Sequence, residues 1–181
     1  MDDVGAGLEV PGERPAALVA LGSNLGDPLE QLRRAAAALE RLATVCRWSP
    51  VYRTAPVGGP PGQPAYLNAV AMLAPFPAWS SPEALLEGLL AIERQQGRVR
   101  RERWGPRTLD LDLLALGDAV VASSRLTLPH PRMMERSFVL APLCDLTPDW
   151  RHPVTGEGAC EALARLGLSG VRRTRLSWRP R

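Results

Sequence analysis

Two aspartates separated by one leucine are the residues of this sequence best suited to chemistry. Asp110 and Asp112 lie in the apolar run 109–116, whose length is typical of a strand. Because side chains alternate between the two faces of a strand, both carboxylates point to one side, roughly 7 Å apart at their Cα atoms. Such carboxylates repel each other unless a cation lies between them, and Mg²⁺ prefers oxygen ligands of this kind. Taken alone, the pattern also fits two ordinary surface aspartates, because so short a motif has low specificity.

A dense group of arginines precedes the two aspartates. The segment 94–107 contains Arg94, Arg98, Arg100, Arg101, Arg103 and Arg107. Guanidinium groups bind phosphate oxygens in a bidentate manner and keep their charge at every working pH. A helix end, an arginine-rich loop and a metal-binding strand in direct succession therefore predict a polyphosphate site.

The basic residues also exclude several kinds of enzyme. All 22 are arginine, and the formal net charge is +3. The absence of lysine excludes a P-loop, a Schiff-base enzyme and a kinase-type lysine. A basic α+β module that binds RNA without catalysis is the alternative, but it requires aromatic side chains on the central strands. Those strands contain few, and the aspartate pair would repel a nucleic-acid backbone, so we expect no nucleic-acid partner.

A polar residue inside another apolar strand is the second candidate feature. Tyr66, Asn68 and Val70 share one face of the predicted strand 66–73. A buried amide without partners costs about 1–3 kcal/mol. Its donors and acceptor, beside the flat face of a tyrosine, could hold a heterocycle that has its own hydrogen-bonding edge. A neighbouring loop could equally satisfy the amide.

The elements around these residues alternate between strands and helices. Periodicity and capping signals predict strands at 16–21, 45–52, 66–73, 109–116 and 119–122, and helices at 28–42, 82–96, 133–140 and 157–166. This order predicts an α+β fold with a ferredoxin-like βαββαβ core sheet, covered by helices and carrying long catalytic loops. We expect one domain at 16–170, a flexible lead-in at 1–15, and a basic tail at 171–181 that is frayed or docked on the surface.

The cysteines and the apolar runs bear on where the protein works. Cys46, Cys144 and Cys160 are odd in number and far apart, and no CxxC motif occurs. The spacing therefore argues against a disulfide or a zinc site and favours a reducing, cytoplasmic location. No run approaches the roughly 18 apolar residues of a membrane span, and the acidic N-terminus does not resemble a signal peptide.

Several short motifs occur in an order typical of one known family. They are Gly22–Gly26, Tyr52–Thr54, Tyr66–Ala69, Arg103–Asp112, Leu126–Pro131 and Arg136–Phe138. Over residues 16–148 the sequence resembles the hydroxymethyl-dihydropterin pyrophosphokinase family. The ten-residue run Arg103–Asp112 is the most specific of these matches.

The resemblance implies a reaction of folate and tetrahydrofolate biosynthesis. The family transfers the βγ-pyrophosphate of ATP to 6-hydroxymethyl-7,8-dihydropterin and releases AMP. By resemblance, Asp110 and Asp112 bind two Mg²⁺ ions, and Arg98 and Arg107 act with them as catalytic residues that clamp the phosphates. The resemblance identifies no general base. It also leaves open a catalytically silent relative kept as a binding protein.

The resemblance further assigns the residues that bind each substrate. The residues expected to bind ATP are Arg98, Arg100, Arg103, Arg107, Arg125, Thr127, His130 and Arg136. The residues expected to bind the pterin are Thr54, Val57, Tyr66, Asn68, Trp104 and Phe138. Tyr66 and Phe138 would stack on the pterin ring, and Trp104 would cover it. We expect a monomer with ATP and the pterin as partners.

Overall fold

The protein is described by a computed structural model that covers residues 15–58, 60–97 and 106–180. Within these residues one antiparallel sheet contains β1 (Ala17–Ser23), β2 (Ala43–Trp48), β3 (Tyr52–Thr54), β4 (Tyr66–Pro75), β5 (Asp110–Leu116) and β8 (Val171–Arg173). The strand order is β5-β1-β4-β3-β8, and β2 pairs with the remaining part of β4. A separate two-stranded sheet contains β6 (Val121–Ala122) and β7 (Thr127–Leu128). The order of the central strands confirms the predicted ferredoxin-like βαββαβ core.

Helices cover both faces of the sheet. In the described residues they are α1 (Pro28–Leu39), α2 (Pro82–Gln95), α3 (Ser137–Leu146) and α4 (Ala159–Leu166). One hydrophobic core contains residues of α1 and α2 with Leu21 and Leu73, and the other contains residues of α3 and α4 with Leu18 and Met72. Neighbouring residues of β1 therefore enter different cores. No helix among the described residues is long and apolar enough to cross a membrane.

The predicted capping residues begin the first two helices. Asp27 Oδ1 accepts a hydrogen bond from the Glu30 N–H at 3.1 Å, and Ser81 Oγ accepts one from the Ala84 N–H at 3.2 Å. A proline follows each cap, where its missing N–H is not needed. Gly97 follows α2 with a φ of +73°, a conformation that costs glycine little.

Three predicted elements differ from the structure. The strand predicted at 45–52 is divided into β2 and β3, because Pro50 has no N–H to continue the ladder. The strand predicted at 119–122 is shortened to β6, which pairs with β7, because the Ala119 N–H bonds to the Leu116 carbonyl in the turn after β5. The helix predicted at 133–140 is a 3₁₀ turn at Met133–Glu135 followed by α3.

The C-terminal segment is part of the sheet, so the prediction of a frayed or surface-docked tail is wrong. Strand β8 pairs with β3 across all three of its residues. Beyond it, Trp178 is 1% exposed, stands edge-on to Trp48, and donates its Nε1–H to the Ser49 carbonyl at 2.9 Å. Burial of this large side chain fixes the segment against the first core. The boundary predicted at residue 170 therefore falls inside the fold.

The prediction that no disulfide forms is also wrong. Cys144 of α3 and Cys160 of α4 are bonded, with Cα atoms 5.5 Å apart. The bond joins two helices whose packing cannot be read from the spacing of the cysteines. Cys46 is a free, exposed thiol, as expected.

Candidate active site

The candidate residues meet in a row that crosses four neighbouring strands. Gly22 of β1 pairs with Asp110 of β5 on one side and with Asn68 of β4 on the other. Asn68 in turn pairs with Tyr52 of β3. Paired residues of an antiparallel sheet share a face, so the first aspartate and the asparagine point to the same side. Alternation along β4 and β5, combined with this pairing, therefore places Asn68 and Asp110 on the same face of the sheet.

Gly22 leaves open the space between the asparagine and the aspartate. A Cβ atom built on Gly22 would lie 2.8 Å from Asn68 Oδ1, closer than real Cβ atoms approach. A methyl group at this position would therefore displace the Asn68 amide, and glycine avoids that contact. In the sequence, Gly22 stands out only as part of the turn motif Gly22–Gly26, which does not indicate this role.

A cavity of about 330 Å³, here called the central cavity, opens above this row. Among its lining residues are Gly22, Thr54, Val57, Tyr66, Asn68, Arg107, Asp110, Asp112, Arg136 and Phe138. Five of the six residues expected to bind the pterin thus line one cavity with both aspartates. Arg132 and Glu135 also line it and were not predicted from the sequence.

Hydrogen bonds fix two polar side chains of β3 and β4, those of Tyr52 and Asn68. Asn68 is 8% exposed, and its Nδ2 donates to Thr54 Oγ1 at 2.7 Å. The amide is therefore satisfied by a residue from the same predicted set, not by a separate loop. Tyr52 donates its hydroxyl to Asp145 Oδ2 at 2.7 Å and packs in a small cluster with Phe138. Burial and the neighbouring carboxylate raise the pKa of Tyr52 to about 12, so it remains a donor.

The turn after β1 positions the start of β5. The backbone N–H groups of Asn24 and Leu25 donate to the Arg107 carbonyl at 3.1 and 3.2 Å, and Asn24 Oδ1 accepts from the Arg107 N–H at 2.8 Å. Asn24 Nδ2 also donates to the Pro64 carbonyl at 3.2 Å. One buried side chain therefore joins three segments of the site. In the sequence, Asn24 was indicated only by the turn motif Gly22–Gly26 that contains it.

A buried glutamate holds β5 between its two aspartates. Glu93, near the end of α2, is 2% exposed, and its Oε1 accepts a hydrogen bond from the Leu111 N–H at 2.7 Å. This bond fixes the backbone from which Asp110 and Asp112 project. Sequence reasoning missed Glu93, because its periodicity does not distinguish it from an ordinary polar residue at a helix end.

A second cavity of about 300 Å³ lies on the other side of the aspartates, beside the β6–β7 hairpin. This hairpin cavity is lined by Asp110 and Asp112 together with Arg125, Thr127 and His130. Arg125, Thr127 and His130 are three of the residues expected to bind ATP. The two aspartates are therefore shared between the central cavity and the hairpin cavity.

The side chains around the two aspartates carry charges of both signs, which shift the pKa of Asp112 in opposite directions. Arg107 contacts Asp110, and Arg136 lies 3.6 Å from Asp112 Oδ2. Desolvation, and then the charge of Asp110, raise the pKa of Asp112 above its ordinary value, although His130, Arg136 and Arg107 act in the opposite direction. Desolvation lowers the pKa of His130, which favours a neutral imidazole.

The described residues alone do not complete a metal site. No group of three or more His, Cys, Asp and Glu side chains in the described part of the chain could hold a metal ion. Two carboxylates are nevertheless sufficient where phosphate oxygens and water provide the other ligands, as is usual for Mg²⁺. Burial and then the charge of Asp110 raise the pKa of Asp112, and a cation between the two carboxylates would relieve their repulsion.

Part of the predicted set lies outside the described residues. Arg98, Arg100, Arg103 and Trp104 belong to this group. Their predicted roles as phosphate clamps and as a cover for the pterin stay predictions. Among the described residues, two of the arginines expected to bind phosphate line the central cavity. They are Arg107 and Arg136.

Comparison with known proteins agrees with this arrangement. The family model for 7,8-dihydro-6-hydroxymethylpterin-pyrophosphokinase matches residues 18–148. A 2-amino-4-hydroxy-6-hydroxymethyldihydropteridine pyrophosphokinase from Pseudomonas aeruginosa is 48% identical over 157 residues, which are 86% of this chain and 94% of that protein. One from Synechocystis is 42% identical over 165 residues, covering 90% of this chain and 82% of the relative.

Solved structures show the same fold at much lower identity. The chain is similar to a crystal structure of Plasmodium falciparum HPPK-DHPS wild type with pteroate, with a TM-score of 0.71 and 12% identity. The match covers 92% of this chain and 49% of the other, so this chain spans about half the length of that protein. From the family match and the identities to its relatives, this chain belongs to the 7,8-dihydro-6-hydroxymethylpterin pyrophosphokinase family.

Proposed function

We propose that this pyrophosphokinase of folate biosynthesis uses ATP and Mg²⁺ to transfer pyrophosphate to 6-hydroxymethyl-7,8-dihydropterin, with release of AMP. The observation that carries the proposal is the meeting of the two cavities at Asp110 and Asp112. A pterin in the central cavity and ATP in the hairpin cavity would present the acceptor hydroxyl and the phosphates to the same pair of carboxylates. Holding two reactants in this way supplies much of the rate enhancement in phosphoryl chemistry.

In the central cavity the pterin would lie between Tyr66 and Phe138. The Asn68 amide, oriented by its bond to Thr54 Oγ1, would bind the donor and acceptor edge of the ring. The backbone near Val57 would contact the same edge, with its exposed side chain at the mouth of the cavity. The ring would thus be bound by flat apolar contacts and by a fixed polar edge, as is common in small-molecule sites.

Asp110 and Asp112 would hold the Mg²⁺ ions, of which we expect two. When bound, the metal neutralises phosphate charge and makes the acceptor hydroxyl more acidic. The aspartates supply hard oxygen ligands on one strand face, and Glu93 keeps that strand in place. A raised pKa of Asp112 means that metal binding competes with a proton more strongly than at an ordinary aspartate.

The arginines would neutralise the remaining phosphate charge. Arg107 and Arg136 already lie beside the two aspartates in the central cavity. Arg98, Arg100 and Arg103 would join them from the arginine-rich segment, and Trp104 would close over the pterin. Burial lowers the pKa of His130, and in its neutral form this residue can donate a hydrogen bond to a phosphate without adding charge. Arg125 and Thr127 would contact the nucleoside in the hairpin cavity.

The test is chromatographic analysis of the nucleotides formed from ATP and Mg²⁺ with and without 6-hydroxymethyl-7,8-dihydropterin. We expect AMP that appears only when the pterin is present, with no ADP. Folded protein that binds ATP but forms no AMP would instead support the silent relative. Omission of Mg²⁺ from the complete reaction should abolish AMP formation.

Two further expectations belong with this proposal. The cytoplasmic location is favoured by the proposed use of ATP, whereas the Cys144–Cys160 disulfide is a bond more typical of oxidising compartments. Titration of free thiols in protein purified without reductant would decide whether the bond forms in the cell. We also expect a monomer, which sedimentation velocity would test.

A further inference from the structure

A groove lies on the face of the sheet opposite to the central cavity, where β8 joins β3. This β3–β8 groove has a volume of about 560 Å³ and combines apolar residues (Pro28, Pro64, Leu67 and Leu176) with Arg53 and Arg172. Because side chains alternate along β3, Arg53 points away from the face that carries Tyr52 and Thr54. The groove is therefore separated from the pyrophosphokinase site by the sheet itself.

Two like charges face each other in this groove. Arg53 and Arg172 are directly paired in the β3–β8 ladder, and both are exposed. Paired positions place Cβ atoms about 5 Å apart, where like charges are destabilising. In the described part of the chain neither guanidinium forms an ion pair with a carboxylate. Arg173, the next residue of β8, also borders the groove, but it is paired with Tyr52, and its guanidinium lies 3.6 Å from Asp145 Oδ2.

The groove is held in shape by contacts that do not depend on a ligand. The N–H and the hydroxyl of Thr174 both donate to the Val51 carbonyl at 2.9 Å, and Trp178 anchors the following residues in the core. The N-terminus of α1, at Pro28, borders the groove and favours negative charge, although Asp27 already caps that helix. A ligand would thus meet a preformed surface.

Part of the groove lies outside the residues that match the family model. Arg172 and Leu176 follow the matched residues 18–148. The arginine pair exists because β8 pairs with β3 at the edge of the sheet. The chemistry of the pyrophosphokinase site gives no reason for it.

We propose that the β3–β8 groove is a second binding site, for a small molecule that carries a phosphate or carboxylate group on an apolar body. An oxyanion between Arg53 and Arg172 would be bound by both guanidinium groups and would remove their mutual repulsion. The apolar body would cover Leu67 and Leu176, which the fold leaves partly exposed. The proposal does not depend on the reaction assigned to the central cavity.

The experiment is a titration followed by ¹H–¹⁵N NMR of the full chain, with its active site saturated by a non-hydrolysable ATP analogue and Mg²⁺. The probes are phenyl phosphate, benzoate and, as the neutral analogue, phenol. We expect saturable shifts of the β3 and β8 amides with a Kd of about 1 mM for at least one anionic probe, and none with phenol. Comparison of phenyl phosphate with benzoate distinguishes a phosphate from a carboxylate site.

Variants assign the effect to the arginine pair. Arg53→Gln and Arg172→Gln should each weaken the anionic probe about tenfold or more. Arg175→Gln is the matched control, since Arg175 is exposed in the same segment and does not line the groove. Absence of saturable shifts, equal binding of phenol, or unchanged affinity in both groove variants would overturn the proposal. Because each arginine is tested separately, failure of one variant to fold leaves the other to decide.

Discussion

The central cavity and the hairpin cavity lie on either side of the same two aspartates, but they are built from different kinds of structure. The central cavity rests on the middle strands of the sheet, where Asn68 is buried and bonded to Thr54. The hairpin cavity is bordered by two-residue strands and by Arg125, whose side chain is 71% exposed. Buried polar groups that are held in place discriminate strongly between ligands, whereas exposed charged groups contribute little binding energy. We therefore expect the pterin side to be the more selective and the more sensitive to substitution.

The largest expected effect comes from the residues that the two cavities share. Asp110→Ala or Asp112→Ala should lower kcat by about 10³-fold or more, because each removes charge stabilisation from the phosphates. Circular dichroism should show an intact fold, since neither carboxylate lies in a hydrophobic core. Asp118→Ala, at an exposed position just after β5, is the control and should retain full activity. Near-normal turnover in both site variants would refute the metal assignment.

The next effect should be confined to the central cavity. Asn68→Ala removes the buried amide that reads the pterin edge, and a lost bond of this kind costs about 1–3 kcal/mol, or roughly ten- to a hundredfold in affinity. Equilibrium titration should show that loss for the pterin and an unchanged affinity for an ATP analogue. Equal losses for both ligands would place Asn68 outside the pterin site.

Gly22 provides a sharper version of the same test. Gly22→Ala should weaken pterin binding in the native background, because its Cβ would meet Asn68 Oδ1 at 2.8 Å. In an Asn68→Ala background the same change should add little, since the obstructing atom is gone. Additive losses would mean that the methyl group obstructs the pterin itself.

A smaller effect should be found on the hairpin side. Arg125→Gln should raise KM for ATP by less than about tenfold, because an exposed charge in water contributes little. The KM for the pterin should not change. Steady-state kinetics with each substrate varied in turn would measure both. A larger effect on the pterin than on ATP would contradict the assignment of the two cavities.

The smallest expected effect concerns stability without ligands. The pKa of Asp112 is raised in the folded protein, so its charged form destabilises the fold, and the stability present at low pH is lost as pH rises through that pKa. Asp112→Asn should therefore raise the Tm at neutral pH in the absence of Mg²⁺, and this difference should shrink on acidification. A lower Tm at neutral pH would show that the contact with Arg136 outweighs the cost of burial and repulsion.

Much of the site could be predicted from local patterns. Alternation along a strand placed Asp110 and Asp112 on one face, and the same rule separated Asn68 from its apolar neighbours. Capping signals located the starts of α1 and α2. These features depend on residues close together in the chain, which is why the sequence sufficed for them.

What the sequence could not provide depends on register and packing between distant segments. The role of Gly22 follows from its pairing with both Asn68 and Asp110, which no local pattern shows. The burial of Trp178 and the bond between Cys144 and Cys160 depend equally on contacts across the fold. A basic tail without helical or strand periodicity gave no signal that it would complete a sheet.

The most direct test of the account uses ATP labelled with ³²P at the β position, with the pterin and Mg²⁺. If the acceptor hydroxyl and the phosphates meet at the aspartate pair as proposed, the label should pass to the pterin product and leave AMP unlabelled. Label that remains in ADP would show transfer of the γ phosphate alone and would contradict the assigned reaction.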